Sequence, residues 1–227
     1  MGIENVFPRA VLTLHIQDIV LHTWIIIAVL APLGYLIGKS VQMRPRGWQH
    51  LAETGVEFVE NLILQRAGRP IKGLFELIAT FILFIAVANL LGLIPVLMAP
   101  TRSLNTTIAL AVVSFVAVQY FGVRERGAKK YARSFAEPMA FMLPLNILGQ
   151  LSRTVAMALR LFGNVIAGEI VGAVMFQLLP LLGPIPFSLL GIITGLVQAL
   201  VFGFLTVTFV VEAIGKQAQG KESVERR

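Results

Sequence analysis

"PMAFMLPLNILGQLSRTVAMALRLFGNVIAGEIVGAVMFQLL", residues 138–179, is an apolar run interrupted by Arg153, Arg160 and Glu169. Read as one helix it would reach about 63 Å, twice the ~30 Å thickness of a bilayer's hydrocarbon core. Two spans are the obvious reading; one very steeply tilted crossing is the other. Topology turns on that choice, and charge elsewhere in the chain decides it.

Four further apolar segments stand at roughly 19–38, 74–98, 104–123 and 187–214. All are far longer than the ~9–11 residues of a membrane strand, which predicts helices. Lys39, Arg44, Arg46, Arg66, Arg69 and Lys72 fall between the first two segments. Arg124, Arg126, Lys129, Lys130 and Arg133 fall between the third and fourth, and Lys216, Lys221, Arg226 and Arg227 follow the last. Of the two remaining connections, one holds only Arg102 and the other holds no basic residue. The positive-inside rule places the three basic regions in the cytoplasm and residues 1–18 outside. Two spans within 138–179 would throw the basic tail to the wrong side. One tilted crossing keeps it inside, hairpinned against 187–214. Pro138 and Pro144 mark its entry; Pro180, Pro184 and Pro186 are expected to form the turn.

The predicted fold is therefore an all-α polytopic membrane protein, a single domain over 1–227. It has about five membrane segments, the last two forming a long, strongly tilted hairpin, and a cytoplasmic tail over 215–227. Residues 44–72 carry Leu51, Val56, Val59 and Ile63 near helical spacing, with Glu53, Glu57 and Glu60 interleaved. That pattern predicts a cytoplasmic helix lying at the interface rather than crossing.

Composition agrees. The chain is 56% hydrophobic and 14% charged, against roughly 25% charged in soluble domains. With no cysteine, disulfide and thiolate chemistry are excluded. His15, His22 and His50 show no metal-ligand spacing, and no metal or cofactor is expected. The start "MGIENVFPRAVLTLHIQD" lacks a basic region running into an apolar core, so no cleavable signal is expected. Val6 stands where a myristoylation pattern needs Ser or Thr. The net charge of +7 is explained by cytoplasmic loops against an anionic leaflet. Nucleic acid is not an expected partner, since no basic stripe alternates with aromatics.

On a helical wheel, Arg153 lies within about 20° of Arg160, and Asn164 and Asn146 within about 40°. Glu169 faces about 180° away. One face of the helix is thus cationic with amides, and the two charges cannot pair within it. An arginine at mid-membrane costs ~2.5–3.5 kcal/mol on insertion scales. A carboxylate from another subunit would offset that for Arg160. Arginine stays protonated where a buried lysine would not, so it suits an electrostatic gate that makes a passing carboxylate release its ion.

Other polar positions keep two readings each. Arg153 is either part of the gate or a structural arginine near the cytoplasmic entry. Gln198, with Thr194 one turn before it, lines a path or acts as interhelical glue. Glu212 shares the Gln198 face to within about 40°, and is either functional or simply solvated. Asn89 and Asn105 line a wet route or cap and glue helices. Asp18 marks at least the boundary of the first span. Gly168/Gly172 and Gly191/Gly195 form GxxxG steps through which the hairpin arms are expected to pack.

"ALRLFGNVIAGE" (158–169) and "LVQALVFGFLTVTFVVE" (196–212) resemble subunit a of F-type ATP synthase. So do "FILFIAVANLLGLIP" (81–95), "SLNTTIALAVVSF" (103–115) and "PLNILGQLSRTVAMALRLFGN" (144–164). The resemblance covers about Asp18 to Glu212. It implies a stator that feeds H⁺ or Na⁺ to a ring of small c subunits, alongside peripheral-stalk b subunits, with no bond chemistry of its own. Arg160 would face the ring carboxylate and separate two aqueous half-channels, with Asn164 and Gln198 as neighbours. Glu169, Asp18, Asn89 and Asn105 match polar positions on the outer route, and Glu212 one on the cytoplasmic route. Some members carry a relay histidine where this chain has Gly191, so that role is not carried over. The implied location is an energy-transducing membrane, most simply a bacterial plasma membrane.

Two other classes fit less well. A secondary transporter predicts inverted repeats, and no convincing repeat is present. An intramembrane hydrolase would need a catalytic motif such as HExxH or a Ser–His pair, and every histidine precedes residue 51.

Overall fold

A computed structural model of the protein describes residues 20–28, 30–32, 34, 48–92, 99–135, 142–178 and 184–215. The described chain is helical, with no strand. In order it comprises α1 (Val20–Pro32), then α2 (Trp48–Ala67), α3 (Leu74–Leu91), a 3₁₀ turn (Pro100–Arg102), α4 (Leu104–Arg126), α5 (Ala128–Phe135), α6 (Met142–Leu178) and α7 (Pro184–Ile214). Among the described residues α3, α4, α6 and α7 are long and apolar enough to cross a membrane, and α1 is a shorter apolar helix.

Three of these helices bury continuous stripes at helical spacing. On α3 the stripe is Leu74, Ile78, Phe81, Ile85 and Ala88. On α4 it runs from Thr107 through Ala111, Ser114 and Val118 to Phe121, and on α7 from Gly195 through Ala199, Phe202, Thr206 and Val210 to Ala213. Such 3.6-residue periodicity turns one face of each helix inward. Two clusters result. At one end Val59 and Ile63 of α2 join Leu74, Ile78, Phe121, Tyr131, Val207 and Val210. Nearer mid-membrane, Phe81, Ile85, Met157, Leu161, Ala199 and Phe202 pack together, with Phe81 and Phe202 edge to face at 5.3 Å. The α3–α7 contact is close because Gly203 has no side chain: a Cβ there would stand 2.7 Å from Ile82 Cγ1.

Among the described residues, the basic residues of 66–72 and 124–126 converge on one end. Arg124 Nη1 donates to the Lys72 carbonyl at 3.3 Å, and Arg69 pairs with Glu125 at 2.5 Å. Arg66 lies over the Phe204 ring at 4.2 Å, tying α2 to α7. Arg102 stands on the opposite connection, as the charge count requires. The helix α5 was not expected. The chain turns into it at Gly127, whose φ of 80° suits glycine, and it buries Tyr131 between Gly122 and Phe135 while Lys129, Lys130 and Arg133 face outward.

At 37 residues, α6 is one continuous helix about 55 Å long. To keep that length within a ~30 Å core it must lean more than about 50° from the membrane normal. It packs against α4 and α7, so the last two helices form the expected long pair; the 179–183 connection lies outside the described residues. Two expectations need correction. Pro184 and Pro186 sit in the first turn of α7, where a missing N–H costs nothing, rather than in the turn before it. The hairpin arms also do not meet through paired glycines. A Cβ on Gly168 or Gly172 would find open space, and Gly195 faces the Asn89 side chain of α3.

Candidate functional site

Among the described residues of α6, only Met157, Ala158 and Leu161 are buried. Apart from the residues that meet α4, α5, α7 and the 3₁₀ turn, the rest of the helix is largely exposed, with one face open. Arg160 is exposed on it, and among the described residues it has no ion-pair partner. Four residues near it on the same face are small. Gly149, Ala156, Gly163 and Ala167 lie within about 60° of Arg160 on the wheel, and all four are exposed. Nothing stands within 4 Å of where a Cβ on Gly149 or Gly163 would be. Asn164 is half-buried, one turn on. Because Met157 and Leu161 share a cluster with Ala199 and Phe202, the Arg160 level of α6 lies beside the Gln198 level of α7, where Gln198 is buried.

The other two charges of α6 are both neutralised from other elements. Seven residues before Arg160, Arg153 forms an ion pair with Glu212 of α7, and its guanidinium lies 5.4 Å from the Phe209 ring centre. Both partners are about half exposed, so the pair adds little stability. They line a cavity of about 420 Å³. Its other walls include Ser114, Asn146, Gln150 and Thr154, all able to hydrogen-bond water. A polar chain braces this end. The Tyr131 hydroxyl donates to Gln119 Oε1 at 2.6 Å, Gln119 Nε2 donates to Gln150 Oε1 at 2.6 Å, and Asn146 Nδ2 donates to the Phe135 carbonyl at 2.9 Å. Burial pushes the Tyr131 hydroxyl above its ordinary range, opposed by the Gln150 hydrogen bond and the Arg126 charge, so at neutral pH it is a donor.

Nine residues beyond Arg160, Glu169 pairs with Arg102, Oε2 to Nε 3.0 Å. Arg102 entered the sequence reading only as a counted charge. Its pairing has no local signal, since the two residues are 67 positions apart in the chain. Asn89 is held at both ends of its amide: its Nδ2 donates to the Gly195 carbonyl at 3.0 Å, and its Oδ1 accepts from Thr101 Oγ1 at 2.8 Å. Of its two readings, glue is the one these contacts supply. Thr194 bonds back to the Leu190 and Gly191 carbonyls of its own helix. Asn105 is exposed in the first turn of α4. Asp18 lies outside the described residues.

A sequence profile of the family described as "ATP synthase A chain" matches residues 20–211, nearly the whole chain. The chain belongs to the ATP synthase A chain family. Among curated relatives, "ATP synthase subunit a 2" of Bradyrhizobium sp. is 41% identical over 201 residues, covering 88% of this chain and 90% of the relative. "ATP synthase subunit a" of Moorella thermoacetica is 38% identical over 199 residues, covering 88% and 91%. "ATP synthase subunit a 2" of Picosynechococcus sp. is 36% identical over 211 residues, covering 92% and 90%. The stretch that holds Arg153, Arg160, Glu169 and Gln198 lies wholly within the matched region.

Proposed function

We propose that this chain is the ion-translocating stator subunit of a rotary ATP synthase, with Arg160 separating two aqueous half-channels. The observation that carries this reading is the state of Arg160. It is the one charge of α6 without an ion-pair partner among the described residues, exposed beside the small residues Gly149, Ala156, Gly163 and Ala167. A bare guanidinium in hydrocarbon is costly, so its complement comes from another chain. Small flanking residues let a partner helix approach closely. A ring of small c subunits, each with one membrane carboxylate, supplies both the helix surface and the opposite charge.

The mechanism follows from electrostatics. An ion enters from outside along a route that passes Glu169 and binds a ring carboxylate. The loaded, neutral carboxylate rides the ring through lipid for almost a full turn. When it comes beside Arg160, the permanent cation favours its ionised form, and the ion leaves. The polar cavity beside Arg153 and Glu212 serves as the cytoplasmic exit. Arg160 also repels any cation moving straight through between the two routes. The chain itself makes and breaks no covalent bond, the driving ion is H⁺ or Na⁺, and peripheral-stalk b subunits hold the stator still. Its place is an energy-transducing membrane, the plasma membrane in a bacterium.

The test is ATP-driven ion uptake into vesicles holding the assembled complex, wild type against Arg160→Ala, with proton and sodium probes. Loss of uptake in an intact assembly is expected. Unchanged uptake would reduce Arg160 to a structural arginine and end this reading.

A further inference from the structure

The outer ion pair is built more firmly than a surface pair needs to be. Arg102 ends a 3₁₀ turn, Pro100–Arg102, in which Pro100 and Thr101 are buried. Thr101 is pinned to Asn89 of α3, and Asn89 in turn to the backbone of α7 at Gly195. The Arg102 N–H donates to the Ala99 carbonyl at 3.0 Å and the Ser103 N–H to the Pro100 carbonyl at 3.1 Å, closing the turn. The backbone that carries the guanidinium is thus wedged between helices before Arg102 contributes anything. Tying down the loop does not require the arginine, because Thr101 and Asn89 already do so. What Arg102 adds is a cation, carried on that braced backbone, 3.0 Å from Glu169.

We infer that Arg102 is a positioning residue of the outer ion path, holding the Glu169 carboxylate on the back of α6 and competing with the transported cation for it. This rests on the stator reading above. Helix geometry alone keeps Glu169 about 180° round α6 and roughly 13 Å along it from Arg160, so the carboxylate does not neutralise the gate, and what Arg102 changes is its hold on the ion. Conduction requires a site favourable enough to enter and weak enough to leave. A lone half-buried carboxylate would retain a cation; one shared with a fixed guanidinium passes it on.

The experiment is ATP synthesis by the assembled complex in vesicles at fixed voltage. Protons and sodium are each titrated on the side that supplies the ion. Arg102→Ala should lower the half-saturating ion concentration several-fold and lower the maximal rate with it, because the ion is held longer. Glu169→Gln, which removes the carboxylate charge, should move half-saturation the opposite way. Arg102→Lys should restore most of the wild-type curve. If Arg102→Ala does not assemble, Arg102→Gln, which keeps hydrogen bonding without charge, is read in the same way. An unchanged half-saturation in the uncharged Arg102 variant, with only assembly or maximal rate reduced, would make the arginine a loop brace and overturn the inference. Every variant here keeps Arg160. A chain whose Arg160→Ala form fails to pump while its Arg102 variants titrate like wild type would keep the stator reading and lose only this one.

Discussion

The two ends of α6 solve the same electrostatic problem with opposite polarity. Towards its N-terminus, the end proposed above as cytoplasmic, the helix contributes the cation, Arg153, and α7 contributes the anion, Glu212. Towards its C-terminus, the end proposed as outer, it contributes the anion, Glu169, and the α3–α4 connection contributes the cation, Arg102. The inner pair sits in the wall of a polar cavity of about 420 Å³ and is about half exposed. The outer pair hangs from a turn locked by Thr101, Asn89 and Gly195. One end offers water and room to move; the other offers a fixed partner. A helix that carries three charges in an apolar run has matched two of them internally, and Arg160 between them has no ion-pair partner among the described residues.

Four variants test that contrast, beginning with the strongest. Arg160→Ala removes the element that both ends flank, and near-total loss of coupled uptake is expected. Glu212→Gln acts on the inner end alone. It should slow ion translocation several-fold with the outer half-saturating concentration unchanged, and a shift in that concentration would show that the two ends are not separate. Asn89→Ala acts on the outer end by deleting two part-buried hydrogen bonds. A loss of about 1–3 kcal/mol is expected, seen as a lower Tm of the purified complex, and an unshifted Tm would mean that the outer turn is held by packing alone. Tyr131→Phe removes the first link of the inner polar chain. At about 1 kcal/mol it should be the mildest of the four, and a larger loss than Asn89→Ala would reverse the assignment of rigid and adaptable ends.

Much of the architecture was legible in sequence because it rests on local patterns. The segment 74–98 contains α3, 104–123 lies within α4, 138–179 contains α6, and 187–214 coincides with most of α7. The 42-residue ambiguity resolved correctly into one helix because loop charge restricts the number of crossings. Local pattern failed where a partner had to be named. The helix α5 has a pattern too short and too basic to be read as an element, and it forms because Tyr131 finds a pocket beside Gly122. Asn89 looked equally fit for a wet path or for glue, and its bonds to Gly195 and Thr101 have no local signal in the chain.

By itself the sequence determined that this chain is a helical membrane protein, and it is the ground for the proposed orientation and for the proposed outside carboxylate at Arg160. Those conclusions follow from hydropathy, charge asymmetry and the cost of an isolated charge in hydrocarbon, and all three are properties of single segments. Tertiary structure decided which charges are already spent. Arg153 meets Glu212 across 59 positions and Glu169 meets Arg102 from another helix connection, because an ion pair depends on distance in space. No periodicity along the chain encodes that distance.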